Sequence, residues 1–106
     1  MADKDQLIVS KQTANTPSIQ TGTEALADNP ARAGFRIQNI GSLPLFVMLG
    51  SGASTTVFHV ILTGGTANSD GLGINSSYEQ FGPTVYTGVV TVQTTSGSRK
   101  YTTIEL

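Results

Sequence analysis

From residue 29 onward, short apolar runs alternate with clusters of Gly, Asn, Asp, Ser and Pro, and this rhythm restricts the chain to strands. The runs are Phe35-Arg36-Ile37-Gln38 and residues 43–49, 57–62, 85–92 and 101–106. Each has the length of a strand rather than a helix, and each is bounded by turn-forming residues. No helical apolar period, heptad or internal repeat interrupts the pattern. About seven or eight short strands at this spacing indicate an all-β antiparallel sandwich or a jelly-roll-like barrel. Without cysteine or tryptophan, the chain lacks the Cys…Trp…Cys signature of immunoglobulin domains, which leans the reading toward a jelly roll.

Local expectations follow from the same rhythm. Residues 1–18 are mostly polar and read as an extended N-terminal arm, with residues 19–106 forming one β-sandwich domain. The arm holds one apolar run, Leu7-Ile8-Val9. It reads either as an edge strand of the domain or as an interface segment that adds a strand to a neighbouring subunit. Ile19, Thr21 and Thr23 alternate weakly with Gln20, Gly22 and Glu24. Asp28 or Asn29, followed by Pro30, resembles a helix start, but the segment is too short for more than one turn and reads as a corner.

Phe35 and Ile37 share one strand face and Arg36 and Gln38 the other. The nearly continuous apolar run Leu43-Pro44-Leu45-Phe46-Val47-Met48-Leu49 reads as a strand buried on both sides. Pro44 marks an edge or a strand entry. Asn39-Ile40-Gly41-Ser42 is expected to join these two strands in a hairpin. A short strand is expected over residues 77–81, and a second hairpin is expected between residues 85–93 and 101–106, with Val90 and Val92 on one face.

Charge and composition limit what such a domain does. Only 12% of residues are charged, with six basic and seven acidic, against about 25% in a typical soluble domain. A surface built from Thr, Ser, Asn and Gln carries little repulsion against neighbours and suits life inside an assembly. The four cations beyond Lys11 (Arg32, Arg36, Arg99 and Lys100) form no basic stripe, so nucleic-acid binding is not expected. No apolar run approaches membrane-spanning length, and the polar first residues do not read as a secretory signal. Synthesis in a host cytoplasm is the expectation. Zero cysteines exclude thiolate chemistry and disulfides.

The catalytic candidates are weak. His59 is the one imidazole; on an apolar strand it reads as a strand-face or core histidine satisfied by a hydrogen bond. Gly50-Ser51-Gly52-Ala53-Ser54 precedes it, but it is neither a nucleophile elbow nor a dinucleotide loop. Residues 66–77 place Asn68, Asp70 and Gly71 as a calcium loop would, yet Thr66 and Ser77 occupy its first and last ligand positions. Glu24, Asp28, Asp70, Glu79 and Glu105 are the acids a glycosidase would draw on. Tyr78, Tyr86 and Tyr101, with Phe81, read as core or half-buried sheet aromatics. An enzyme is not expected, nor is a metal or cofactor.

Several segments together resemble small virion structural proteins of tailed bacteriophages. They are Asn29-Pro30-Ala31-Arg32, Phe35-Arg36-Ile37-Gln38-Asn39, Pro44-Leu45-Phe46-Val47-Met48-Leu49-Gly50, Gly52-Ala53-Ser54, Phe58-His59-Val60-Ile61-Leu62, Tyr86-Thr87-Gly88-Val89-Val90-Thr91-Val92 and Thr102-Thr103-Ile104-Glu105-Leu106. The resemblance implies a compact sandwich serving as a capsid decoration (cement) protein, a homotrimer seated on major capsid protein at the virion surface. It also implies an arm that grips the lattice, for which Leu7, Ile8 and Val9 are the candidates. The alternative in the same virion is a tail-fibre or tail-tip module binding host glycans through residues 64–77 and the tyrosines.

Overall fold

The computed structural model describes residues 18–65, 76–95 and 99–106. Leu7, Ile8, Val9 and the calcium-like residues 66–75 lie outside the described residues. Among these residues seven strands form: β1 (Glu24–Leu26), β2 (Gly34–Asn39), β3 (Leu45–Leu49), β4 (Val60–Leu62), β5 (Ser77–Phe81), β6 (Val90–Thr94) and β7 (Tyr101–Glu105). They make two antiparallel sheets, ordered β1-β6-β3-β4 and β5-β2-β7. The expected all-β sandwich is therefore present. The barrel is not, because the two sheets do not close on one another. The strand order also differs from the A-B-E-D and C-F-G sheets of an immunoglobulin domain.

Alternation explains which face each sheet buries. Phe35 and Ile37 of β2, Leu45 and Val47 of β3, Val90 and Val92 of β6, and Tyr101 of β7 all point inward, joined by Leu26 and Leu62. Facing pairs stack by register: Val47 opposite Val92 in one sheet, Ile37 opposite Thr103 in the other. Removing each large apolar side chain from water contributes about 1.5–3 kcal/mol. Tyr78 adds an aromatic contact to Phe35, with ring centroids 6.1 Å apart.

Both expected hairpins are corrected. β2 and β3 lie in different sheets, as do β6 and β7. The cause at the first junction is Asn39. Its side-chain amide donates to the carbonyls of Leu43 (2.8 Å) and Leu62 (3.0 Å), and its Oδ1 accepts from Gly41 N–H (3.0 Å). Those bonds bend the chain into an arch between sheets rather than folding it back within one. β3 is also buried on one side only: Leu45 and Val47 face the core while Phe46 and Met48 face outward. Pro44 is a strand entry, since β3 sits between β6 and β4 rather than at an edge.

The chain before β1 ties the sheets together. Gln20 exchanges backbone hydrogen bonds with Tyr101 of β7 (2.8 and 3.2 Å), and a few residues later β1 pairs with β6 of the other sheet. This side is thus stitched by one continuous segment. On the opposite side β4 and β5 are the outermost strands of their sheets among the described residues.

Candidate interaction surfaces

The segment Asn29-Pro30-Ala31-Arg32 forms a polar lock rather than a helix. Asn29 Oδ1 accepts from Ala31 N–H (3.1 Å), the Asx turn that the side chain of an Asn before a tight bend favours. Arg32 is buried, and every branch of its guanidinium is used. Nε donates to Glu105 Oε2 at 2.7 Å. Nη1 donates to the carbonyls of Tyr86 (2.8 Å) and Gly88 (3.0 Å), and Nη2 to Ala27 (2.6 Å). Asn29 Nδ2 also donates to Glu105 Oε2 (3.2 Å), and the guanidinium lies 5.5 Å from the Phe35 ring centroid. One planar cation with five donors in a fork satisfies three backbone carbonyls that no strand reaches. The lock joins the corner before β2, the loop before β6 and the end of β7. Its chemistry is structural.

His59 is exposed and lies just before β4. Its Nδ1 accepts from Leu49 N–H (3.1 Å) and its own N–H donates to Val47 O (2.7 Å), so it carries the expected hydrogen bond at the sheet surface rather than in the core. Ser54 Oγ accepts from the N–H groups of Val57 (2.9 Å) and Thr56 (3.2 Å), closing the loop before it. Neither Ser54 nor Ser51 has a bond to His59. Among the described residues, no group of three or more His, Cys, Asp or Glu gathers to hold a metal ion. Of the acids, Glu105 belongs to the Arg32 lock, while Glu24, Asp28 and Glu79 are exposed on separate elements.

The aromatics divide sharply. Tyr101 is fully buried and donates to Gly22 O at 2.7 Å. Tyr78 packs on Phe35 and accepts from Gln80 Nε2 (2.6 Å), and Tyr86 packs against the core. Phe81 is the exception at 51% exposed. Its ring stands over Gly34, where any Cβ would collide with it. Phe81 also lines an open depression of about 320 Å³ with Glu79, Gln80, Thr84 and Val85. The three tyrosines are thus buried or half-buried parts of the sandwich, as expected.

Two outer sheet faces remain. On β5-β2-β7, Arg36 lies opposite Glu79 on one side and Ile104 on the other. Its Nε is buried with no hydrogen-bond partner. On the other sheet, Phe46 of β3 lies opposite Ile61 of β4, and its ring meets Phe58 with centroids 5.1 Å apart. Ile61 is 46% exposed and Val57 50%. Met48 points to the same outer side. No Lys, Arg, Asp or Glu occurs in β3, in β4 or in the segment from 57 to 59. Arg99 borders this face: it donates to Gln93 Oε1 (2.7 Å), on the β6 residue in register with Phe46, and to Thr21 O (2.9 Å). The signal for this apolar face was the surplus of apolar residues in the 43–49 run: a one-sided strand needs only every second one.

Among the described residues no helix is long and apolar enough to cross a membrane. Comparisons with protein-family descriptions, curated proteins and solved structures find no match to this chain.

Proposed function

We propose that the chain is a capsid decoration protein that binds the outside of a phage head lattice and stabilises it through protein–protein contacts. The observation that supports this most is where the residues of the phage resemblance fall. Asn29-Pro30-Ala31-Arg32 forms the polar lock, and Phe35-Arg36-Ile37-Gln38-Asn39 is the central strand β2. The segment from Pro44 enters and forms β3, an inner strand of the other sheet. The resemblance therefore covers β2, β3, β4 and much of β6 and β7, together with the corner at 29–32 and the loop residues 52–54, 58–59 and 86–89. A low-charge surface with an apolar outer face fits a protein whose work is to adhere. Stabilisation would be mass action: a protein that binds the assembled lattice and not separated subunits shifts the equilibrium toward the shell. Repetition over many lattice sites adds avidity.

Immunogold labelling of intact particles with antibody against the purified chain tests this. Label over the whole head is the expected result. Label confined to the tail would make the host-binding module the better reading, and unlabelled particles would end the virion assignment. Deleting residues 1–12 should leave the sandwich folded by circular dichroism but reduce co-sedimentation with heads. Undiminished binding would remove Leu7, Ile8 and Val9 from the contact.

A further inference from the structure

We infer that the outer edge of β5 is a docking strand for an extended segment of another protein, one that places a Lys or Arg opposite Glu79. This goes beyond the decoration reading and holds or fails without it.

The register shows which backbone groups the edge offers. In an antiparallel pair, alternate residues exchange N–H and C=O bonds with the partner strand, and the residues between them point theirs the other way. Asn39 N–H donates to Ser76 O (2.7 Å) at one end of the β2–β5 pair, and Gly82 N–H donates to Ala33 O (3.4 Å) at the other. By the same alternation Tyr78 faces Ile37 and Gln80 faces Phe35 with their backbone groups. Ser77, Glu79 and Phe81 therefore turn their N–H and C=O groups away from β2, toward the side where no described strand lies. The open depression of about 320 Å³ lies at the same place, lined by Glu79, Gln80, Phe81, Thr84 and Val85. Gln80 is already committed, with Nε2 donating to Tyr78 Oη (2.6 Å) and Oε1 accepting from Tyr86 N–H (2.8 Å), so this lining is set before anything binds. Edge strands are commonly blunted by Lys, Pro or a bulge. Ser77–Phe81 contains none of these, and its register with β2 is unbroken. Strand addition draws affinity from such main-chain groups and specificity from the side chains beside them.

The side chains select the occupant. Arg36 of β2 lies in register with Glu79 of β5. An added strand puts its own residue opposite Glu79 on the far side, and opposite charges are the favoured cross-strand pair. A cation there continues an alternating row from Arg36 through Glu79. Glu79 is exposed, and its carboxylate has no hydrogen bond or ion pair among the described residues. Phe81 stands two residues along, 51% exposed, where its ring can meet the stem and charge of a Lys or Arg. A second copy is the wrong occupant. Glu79 is the middle residue of β5, so pairing β5 with its own two-fold image sets Glu79 against Glu79. β4, outermost in the other sheet, offers three residues, Val60–Leu62, and no charge to select a partner.

The test uses the full chain, isotopically labelled for amide NMR, and capped peptides in which valine and threonine alternate around a central lysine or a central glutamate. The lysine peptide at millimolar concentration should shift the amide signals of β5, Thr84 and Val85 and leave those of β4 in place. The glutamate peptide should bind about threefold more weakly. Glu79→Lys should invert that preference; the side chain is exposed, so the fold stays intact, checked by circular dichroism. A lysine peptide N-methylated on the amides that face the edge should not bind, because it cannot pair with β5. Absence of shifts at β5, an N-methylated peptide that binds as well as its parent, or equal binding of the lysine and glutamate peptides would overturn the inference. Tighter binding by a peptide of residues 4–11 of this chain would assign the edge to the chain's own arm and overturn it as well.

Discussion

The corner at Arg32 and the outer face at Phe46 lie in one small sandwich and are built on opposite terms. At the corner a buried cation meets a partly exposed anion, and each guanidinium nitrogen donates to an oxygen. At the outer face apolar side chains are left half in water with no charge among them. The difference separates two uses of scarce charge. Inside, one arginine supplies the donors that three carbonyls of two irregular segments do not find in a strand ladder. Outside, the absence of charge on β3 and β4 leaves a surface open to another apolar surface. A chain with few ionic groups places a pair of them where backbone satisfaction demands it.

The contrast breaks most visibly at the lock. Arg32→Met should lower stability by about 3–5 kcal/mol, since it takes the cation from Glu105 and leaves the carbonyls of Ala27, Tyr86 and Gly88 without their donor. Chemical denaturation would measure it. Arg32→Lys should recover little, because an ammonium lacks the planar fork. A native-like midpoint for either variant would mean that water replaces the guanidinium at no cost.

At the arch, Asn39→Ala leaves the carbonyls of Leu43 and Leu62 and the N–H of Gly41 without the side chain they share. A loss of about 2–3 kcal/mol is expected, from unsatisfied buried groups. A smaller loss than at Arg32 would confirm that the charged tie is the stronger one. Asn39→Asp separates the two halves of the role, keeping the acceptor for Gly41 and removing the donor.

Tyr101 supplies a gentler, pH-dependent probe. Burial raises its pKa above the ordinary 10.0, Arg99 acts in the lowering direction and Glu24 in the raising one. Its folded value therefore exceeds its unfolded value. The stability this group contributes is fully present below pH 10.0 and is lost as pH rises through the folded value. Thermal melts should fall on the alkaline side, and Tyr101→Phe should flatten that fall. The variant gives up the bond to Gly22 O, at about 1 kcal/mol. An alkaline limb unchanged in the variant would assign it to other groups.

Periodicity made the strands legible, and β2, β3, β5, β6 and β7 all lie where alternation or turn signals mark them. It was silent on pairing. Phe35 and Ile37 declare a buried face, but nothing in a two-residue period says which sheet that face belongs to, so both junctions read as hairpins. The arch depends on Asn39, whose reach to Leu62 spans the sandwich and is visible only in three dimensions. β7 shows the same limit in another form. Ile104 is the more apolar choice, yet Tyr101 and Thr103 face inward because Tyr101 must reach Gly22 O and pair with Gln20. Arg32 gave no sign of being buried, because a lone arginine beside a turn is ordinarily a surface residue. The apolar outer face left a trace in the excess of the 43–49 run, which read as burial on both sides. Leu7, Ile8 and Val9 lie outside the described residues, so the arm rests on sequence alone.

The strand order has a consequence for how the protein comes into being. Of the pairings among the described residues, only β3 with β4 joins strands adjacent in sequence. The side-chain amide of Gln20 donates to Thr103 Oγ1, 83 residues on. Non-local pairing makes folding slow. During that delay the β3–β4 ribbon is the most local pairing among the described strands, and it is apolar on both faces, with Leu45, Val47 and Leu62 on one and Phe46 and Ile61 on the other. Nascent chains close together in a crowded cell would meet through that ribbon first, so yield should depend more on synthesis rate and temperature than on final stability.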